Sequence, residues 1–158
     1  MNKLNFSDKK TLKLTNVLKY KLLLSDDNLD FHTEIEKMSS YIKVKGANQI
    51  GPLIQYTNTF VNEQNEIDIE IYLMLQCNHF IHNVEPPYSM ESVIRIQDCM
   101  YCRFIGAEEK LKLAYDKINI EAFERDIDVS TRNYTVFVDR NEEENTMIAD
   151  VFVPKEIK

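Results

Sequence analysis

No run of lysine and arginine long enough to track a phosphate backbone occurs in these 158 residues, and the formal net charge is −7. Sequence-independent grip on nucleic acid comes from clustered cations, so direct nucleic-acid binding by this chain is not expected. The acidity favours solubility and does not exclude a cationic ligand. No apolar run approaches the ~20 residues that a helix needs to cross a bilayer, so no membrane span is expected. The opening Met-Asn-Lys-Leu-Asn-Phe-Ser-Asp-Lys-Lys has no apolar stretch after it and does not read as a secretory signal. Three cysteines are an odd number at spacings that make no disulfide framework, which predicts reduced thiols and a cytoplasmic location. A Ser/His/Asp set and a glycine-rich phosphate loop are also missing.

What is present is a chain with 44% apolar residues, enough for the core of one ordinary domain spanning 1–158. Two stretches organise it. In Ile67–Met74 and in Thr146–Pro154 one face is aliphatic: Ile67, Ile69, Ile71 and Leu73 in the first, Met147, Ala149, Val151 and Val153 in the second. The other face carries an acid followed two residues on by an aromatic, Glu70 with Tyr72 and Asp150 with Phe152. Side chains alternate across a strand, so each acid points the same way as its aromatic.

The rest of the chain falls into the order β-α-β-β, twice. Residues 1–12 read as a polar lead-in. Leu14–Leu24 alternates as a strand, with Leu18, Tyr20, Leu22 and Leu24 on one side and Lys19 and Lys21 on the other. A turn over 25–30 ends in a helix N-cap, Asp30. Phe31, Ile35, Met38 and Ile42 recur at helical spacing, and Gly46 follows as the C′ residue. Gly51-Pro52 opens a strand over 53–60, and a loop over 61–66 leads to the strand at 67–74. Residues 76–91, with Asn83, Pro86 and Pro87, connect the halves. A long strand over 92–104 places Ile94, Ile96, Met100, Cys102 and Phe104 on one face and Arg95, Gln97, Tyr101 and Arg103 on the other. A helix over about 107–125 has the stripe Leu111, Ala114, Tyr115, Ile118, Ala122 and Phe123. Strands at 133–139 and 146–153 flank a polar loop. The repeats are therefore 13–75 and 92–154, with 76–91 between them. Aligning Glu70 with Asp150 brings Tyr56 and Tyr134 to comparable places, with two extra residues in the second hairpin. The predicted fold class is α+β: one twisted antiparallel sheet, both helices on one face and a central groove on the other.

Phe104-Ile-Gly106, Leu113-Ala-Tyr-Asp-Lys-Ile118, Asn133-Tyr-Thr-Val-Phe137 and Ala149-Asp-Val-Phe-Val-Pro154 follow one another in an order that resembles the GyrI-like superfamily. This group includes the effector-binding domains of multidrug-responsive transcription activators and a stand-alone bacterial branch. The resemblance spans roughly residues 13–154 and implies small-molecule binding. Position 150 matches the family's acid, a buried Glu in the final strand, but carries Asp, one methylene shorter. Gly106 is followed by Ala107-Glu-Glu in place of the family's glycine–aromatic pair. With no tryptophan, an aromatic box must be built from Tyr and Phe. No helix-turn-helix is legible, so an effect on transcription would run through a partner or through sequestering a ligand.

Three readings follow. The first is non-catalytic binding of a small hydrophobic molecule, cations included, with Asp150 and Glu70 supplying charge and Tyr72, Phe152, Tyr134 and Tyr56 the walls. The second is a protein-interaction or accessory module that engages a partner protein through the groove or a strand edge. The third is a small hydrolase with the groove carboxylate as general base, a role the resemblance implies for some members. No cofactor is implied. Cys77, His79 and His82 followed by Cys99 and Cys102 form a set zinc could take, but cysteines three apart in a strand face opposite sides. Cys102 is read as core and Cys99 as an ordinary thiol, with no metal site. His32 is expected to be exposed, Tyr115 to be core, Tyr41 to be half-buried, and Glu142–Glu144 to be a solvated loop, not a calcium site. The sequence carries no signal for oligomeric state.

Overall fold

The computed structural model describes residues 2–26 and 30–156. Six strands and two helices follow in the order β1 (Lys3–Leu23), α1 (Phe31–Val44), β2 (Gln49–Val61), β3 (Ile67–Cys77), β4 (Tyr88–Ala107), α2 (Lys112–Glu124), β5 (Arg132–Asn141) and β6 (Thr146–Pro154). A single 3-10 turn, Glu108–Lys110, precedes α2. All the strand pairings given below are antiparallel, and the class is α+β. Two compact units are present. The first holds residues 13–94; the second takes the chain up to Leu12 and again from Arg95 onward.

In the first unit β3 is the middle strand, between β1 and β2. Its odd-numbered residues face α1. Ile71, Leu73, Leu75 and Cys77 pack with Leu18 and Leu22 of β1 and with Met38 and Ile42 of the helix. Ile67, expected on this face, lies at the hairpin end and is 75% exposed. Helix α1 begins where the sequence predicts: the Asp30 carboxylate accepts from the Thr33 backbone N–H at 3.2 Å and from its hydroxyl at 2.7 Å. Of the turn expected before it, residues 27–29 lie outside the described residues. The helix ends in a Schellman motif. Gly46 N–H donates to Lys43, Ala47 N–H donates to Ile42, and Gly46 adopts φ +81°. Strand β2 starts earlier than Gly51-Pro52 suggests. Gly51, at φ +73°, sits inside the strand, where the register shifts between Ile50 and Ile54. This irregularity absorbs two extra residues of β2 without ending the pairing. The connection between halves is also shorter than 76–91, since β3 runs to Cys77 and β4 opens at Tyr88.

In the second unit β6 lies between β4 and β5. Met147, Ala149, Val151 and Val153 meet Met100, Cys102 and Phe104, and Ala114, Ile118 and Ala122 of α2 close this core. Asp98 at φ 58° interrupts the alternation of β4, so Ile94, expected beside these residues, is not part of that cluster. Phe123 is not on the helix stripe. It follows Ala122 directly, about 100° further round the helix, and is 87% exposed. Of the expected lead-in over 1–12, residues 3–12 are instead the start of β1. Leu4 and Phe6 pack against the α2 cluster, and the Arg125 guanidinium lies 5.0 Å from the Phe6 ring centroid. Single apolar residues among lysines conceal the strand, because its packing partners come from α2, far along the chain.

The Schellman turn yields a test. A Cβ added at Gly46 meets nothing within 4 Å, so the cost of Gly46→Ala is the left-handed backbone alone. Loss of about 1–2 kcal/mol is expected, read as a lower urea midpoint at unchanged slope, with a smaller loss for Gly46→Asn.

Candidate functional site

Directly opposed residues of antiparallel strands share a face, so the hairpin registers decide what surrounds each acid. In the second unit Asp150 lies between Arg103 of β4 and Val136 of β5, and Phe152 lies between Tyr101 and Tyr134. In the first unit Glu70 lies between Leu23 and Asn58, and Tyr72 lies between Lys21 and Tyr56. The predicted alignment therefore holds at the aromatic pairs: Tyr56 opposes Tyr72 as Tyr134 opposes Phe152. Asp150, Phe152 and Tyr134 are brought together within one unit, and Glu70, Tyr72 and Tyr56 within the other.

Asp150 is far from a bare carboxylate. Arg103 Nε donates to Oδ1 at 2.7 Å and Nη2 donates to Oδ2 at 2.9 Å, a bidentate pair. The Tyr101 hydroxyl donates to Oδ1 at 2.8 Å. The carboxylate is 13% exposed and the guanidinium-bearing side chain 39%. The Tyr101 and Phe152 rings meet in a tilted pair with centroids 5.0 Å apart, and Lys10 Nζ lies 5.3 Å from the Tyr101 centroid. Burial, then the bond to Asp150 and its charge, push the Tyr101 phenol up to about 12. The bond to Asp150 and its charge hold Arg103 above its already high range.

The first unit solves the same problem with different residues. Lys21 Nζ lies 3.4 Å from the Glu70 carboxylate. Tyr56 and Tyr72 are a tilted pair at 5.6 Å, and Lys19 Nζ sits 5.0 Å from the Tyr72 centroid while pairing with Glu91. Tyr101, Arg103, Lys10, Lys19 and Lys21 complete these surroundings, and none of them was singled out by the sequence as a ligand contact. The sequence places Tyr101 and Arg103 on the face of their strand opposite Met100, Cys102 and Phe104. Their exact opposition to Phe152 and Asp150 is set by the β4–β6 register, which no hairpin loop dictates.

Cys99 and Cys102 do face opposite ways. Cys99 opposes Pro154 on the acid face and Cys102 opposes Val151 on the core face. Burial pushes both thiols up to about 11. Among the described residues no group of three or more His, Cys, Asp or Glu is arranged to hold a metal ion. The ring nitrogens of His79 lie 3.2 Å from the carbonyls of Gly46 and Phe80. His32 is exposed and pairs with Glu36. Tyr115 packs on the α2 core with its hydroxyl bonded to Thr135. Tyr41 is half-buried against Tyr88, and residues 142–144 are exposed.

Tyr101 makes the site testable by pH. Its folded value lies above the ordinary 10, so the protonated phenol contributes stability that is complete below pH 10 and is lost as pH rises towards about 12. Tyr101→Phe is expected to flatten part of the alkaline fall in urea midpoint. Tyr20, Tyr88 and Tyr115, also raised by burial, retain the remainder. An identical fall in the variant would show that Tyr101 titrates normally.

No family model and no curated protein sequence matches the chain. Among solved structures it is similar to SAV2435 bound to tetraphenylphosphonium, at 10% identity and a TM-score of 0.49, covering 95% of this chain and 94% of that one. It is also similar to a chain in the cryo-EM structure of an EcmrR–DNA complex, at 12% identity and a TM-score of 0.65. That match covers 99% of this chain and 58% of the other, so the present chain spans little more than half of its length. At such identity the likeness to the EcmrR chain is one of fold.

Proposed function

We propose that this chain is a small-molecule-binding module of the GyrI-like effector-binding kind, holding a hydrophobic ligand without chemical change against the half-buried Tyr101, on the face whose other aromatics, Tyr134 and Phe152, are buried. The observation that carries the reading is the Asp150–Arg103–Tyr101 cluster set into that aromatic wall. A few fixed polar groups among apolar and aromatic side chains are what orient a small ligand. The fold shared with the EcmrR chain supports the same reading. A ligand burying about 200 Å² of apolar surface gains roughly 5 kcal/mol before the costs of association are subtracted. The chain acts as one duplicated binding domain in this reading, and the Tyr56–Tyr72–Glu70 face is its second aromatic surface.

The bonds at Asp150 weigh against a hydrolase. A general base must offer a lone pair within reach of the proton it takes. Both Asp150 oxygens accept from Arg103, and one accepts from Tyr101 as well.

The test is a panel of hydrophobic aromatic probes read by thermal shift and calorimetry. At least one probe is expected to raise the melting temperature. Tyr101→Ala is expected to weaken its binding about tenfold, the equivalent of ~1.4 kcal/mol, while Tyr101→Phe keeps most of the affinity. Absence of any shift across the panel, or equal affinity in Tyr101→Ala and wild type, would remove the proposal.

A further inference from the structure

Resting on that reading, we infer that Arg103 sets the charge class of the ligand: the site takes a hydrophobic anion and turns away the hydrophobic cation that an acid among aromatic rings would ordinarily attract. An acid-plus-aromatic face draws a cation in two ways, by the carboxylate charge and by the ring faces. In the second unit both attractions are already taken up by the protein. Arg103 holds both oxygens of Asp150 in a bidentate pair, a geometry that a planar guanidinium makes better than any ammonium. Lys10 lies over the Tyr101 ring, in the place a ligand cation would take. A monocation entering here must displace one resident cation or sit beside two.

An anion meets the opposite situation. A guanidinium carries five N–H donors, and the bonds to Asp150 run from Nε and Nη2, one each. The Arg103 side chain is 39% exposed, so a carboxylate, sulfonate or other anionic group can approach it while the ligand's rings contact the half-buried Tyr101, which packs on the buried Phe152. At the Asp150 pair Arg103 answers the acid, and Lys10 adds a second cation over the Tyr101 ring. The next acid along this face, Asp139 opposite Ile148, accepts from the Arg140 backbone N–H.

The first unit repeats the device with other residues. Lys21 lies by Glu70, and Lys19 lies over Tyr72. Lys21 stands at the register position that Tyr101 holds in the second unit, so the two sets of cations did not arise from one copied pair. Each acid of the duplicated motif is supplied with its own base, and each aromatic pair with its own ammonium.

Tetraphenylborate and tetraphenylphosphonium are nearly identical in size and shape and opposite in charge. Calorimetric titration of the full chain with each, in sodium buffer because potassium precipitates the borate, isolates the sign. The borate is expected to bind at least tenfold more tightly. This preference would run against the chain's net charge of −7, so it could not come from general attraction to the surface. Arg103→Met is expected to reverse the order, with the phosphonium gaining at least tenfold. Because that variant leaves Asp150 without its cationic partner, the neutral double variant Arg103→Met/Asp150→Asn is measured beside it and is expected to bind both ions within about threefold of each other. Wild-type preference for the phosphonium, or an order unchanged in both variants, would overturn the role of Arg103 while leaving small-molecule binding in place. Failure of both ions and of the aromatic panel to bind the wild type would overturn the binding reading itself, and this inference with it.

Discussion

Two-residue alternation in β3 and β6 is the constraint from which the rest follows. Each strand lies in the middle of its three-stranded set, so each has two sides to cover. One side is aliphatic and closes under a helix, Met38 and Ile42 of α1 in the first unit and Ala114, Ile118 and Ala122 of α2 in the second. The other side then has no choice but to present what lies between: Glu70 and Tyr72, Asp150 and Phe152. A slip of one residue in either strand would put acids into a helix-covered core, at a cost no neighbouring contact could recover. The helix-facing core thus fixes the polar face as firmly as it fixes itself.

The polar faces show how a duplicated scaffold diverges without losing its frame. The aromatic pairs stay in register in both units, Tyr56 with Tyr72 and Tyr134 with Phe152. What differs is the strand on the other flank. The first unit places Leu23 opposite its acid and Lys21 opposite its aromatic, and the second places Arg103 and Tyr101 there. A half-buried carboxylate needs compensation wherever it sits, and a guanidinium opposite and an ammonium on the diagonal are two ways to supply it. The pair in the second unit has the better geometry, since two parallel hydrogen bonds fix orientation as well as charge.

Much of this was legible in the sequence, and the misses share a cause. The hairpins β2–β3 and β5–β6 could be read because short loops tie neighbouring residues into one register. The caps of α1 were legible because Asp30 and Gly46 act locally. The pairings of β4 with β6 and of β1 with β3 could not be read, because a helix and more lie between the partners. Arg103 and Lys21 enter the site through those pairings. Lys10 was hidden for a further reason, since residues 3–12 show strand character only once α2 supplies the surface for Leu4 and Phe6. Phe123 misled because an aromatic beside a helix stripe looks apolar enough to join it, while a turn of about 100° carries it to water.

Strand β1 serves both units, giving its first residues to one and Lys13–Leu23 to the other. Residues 3–12 are made well before the core they cover and meet it only after the chain from Arg95 onward has been made. Residues 13–94 can assemble without that later stretch, because everything in that unit lies within one continuous run of chain. Residues 3–12 are thereby tied to a stretch about 90 residues further on, a closure of long sequence separation that is slow to reach and leaves Leu4 and Phe6 uncovered in the interval.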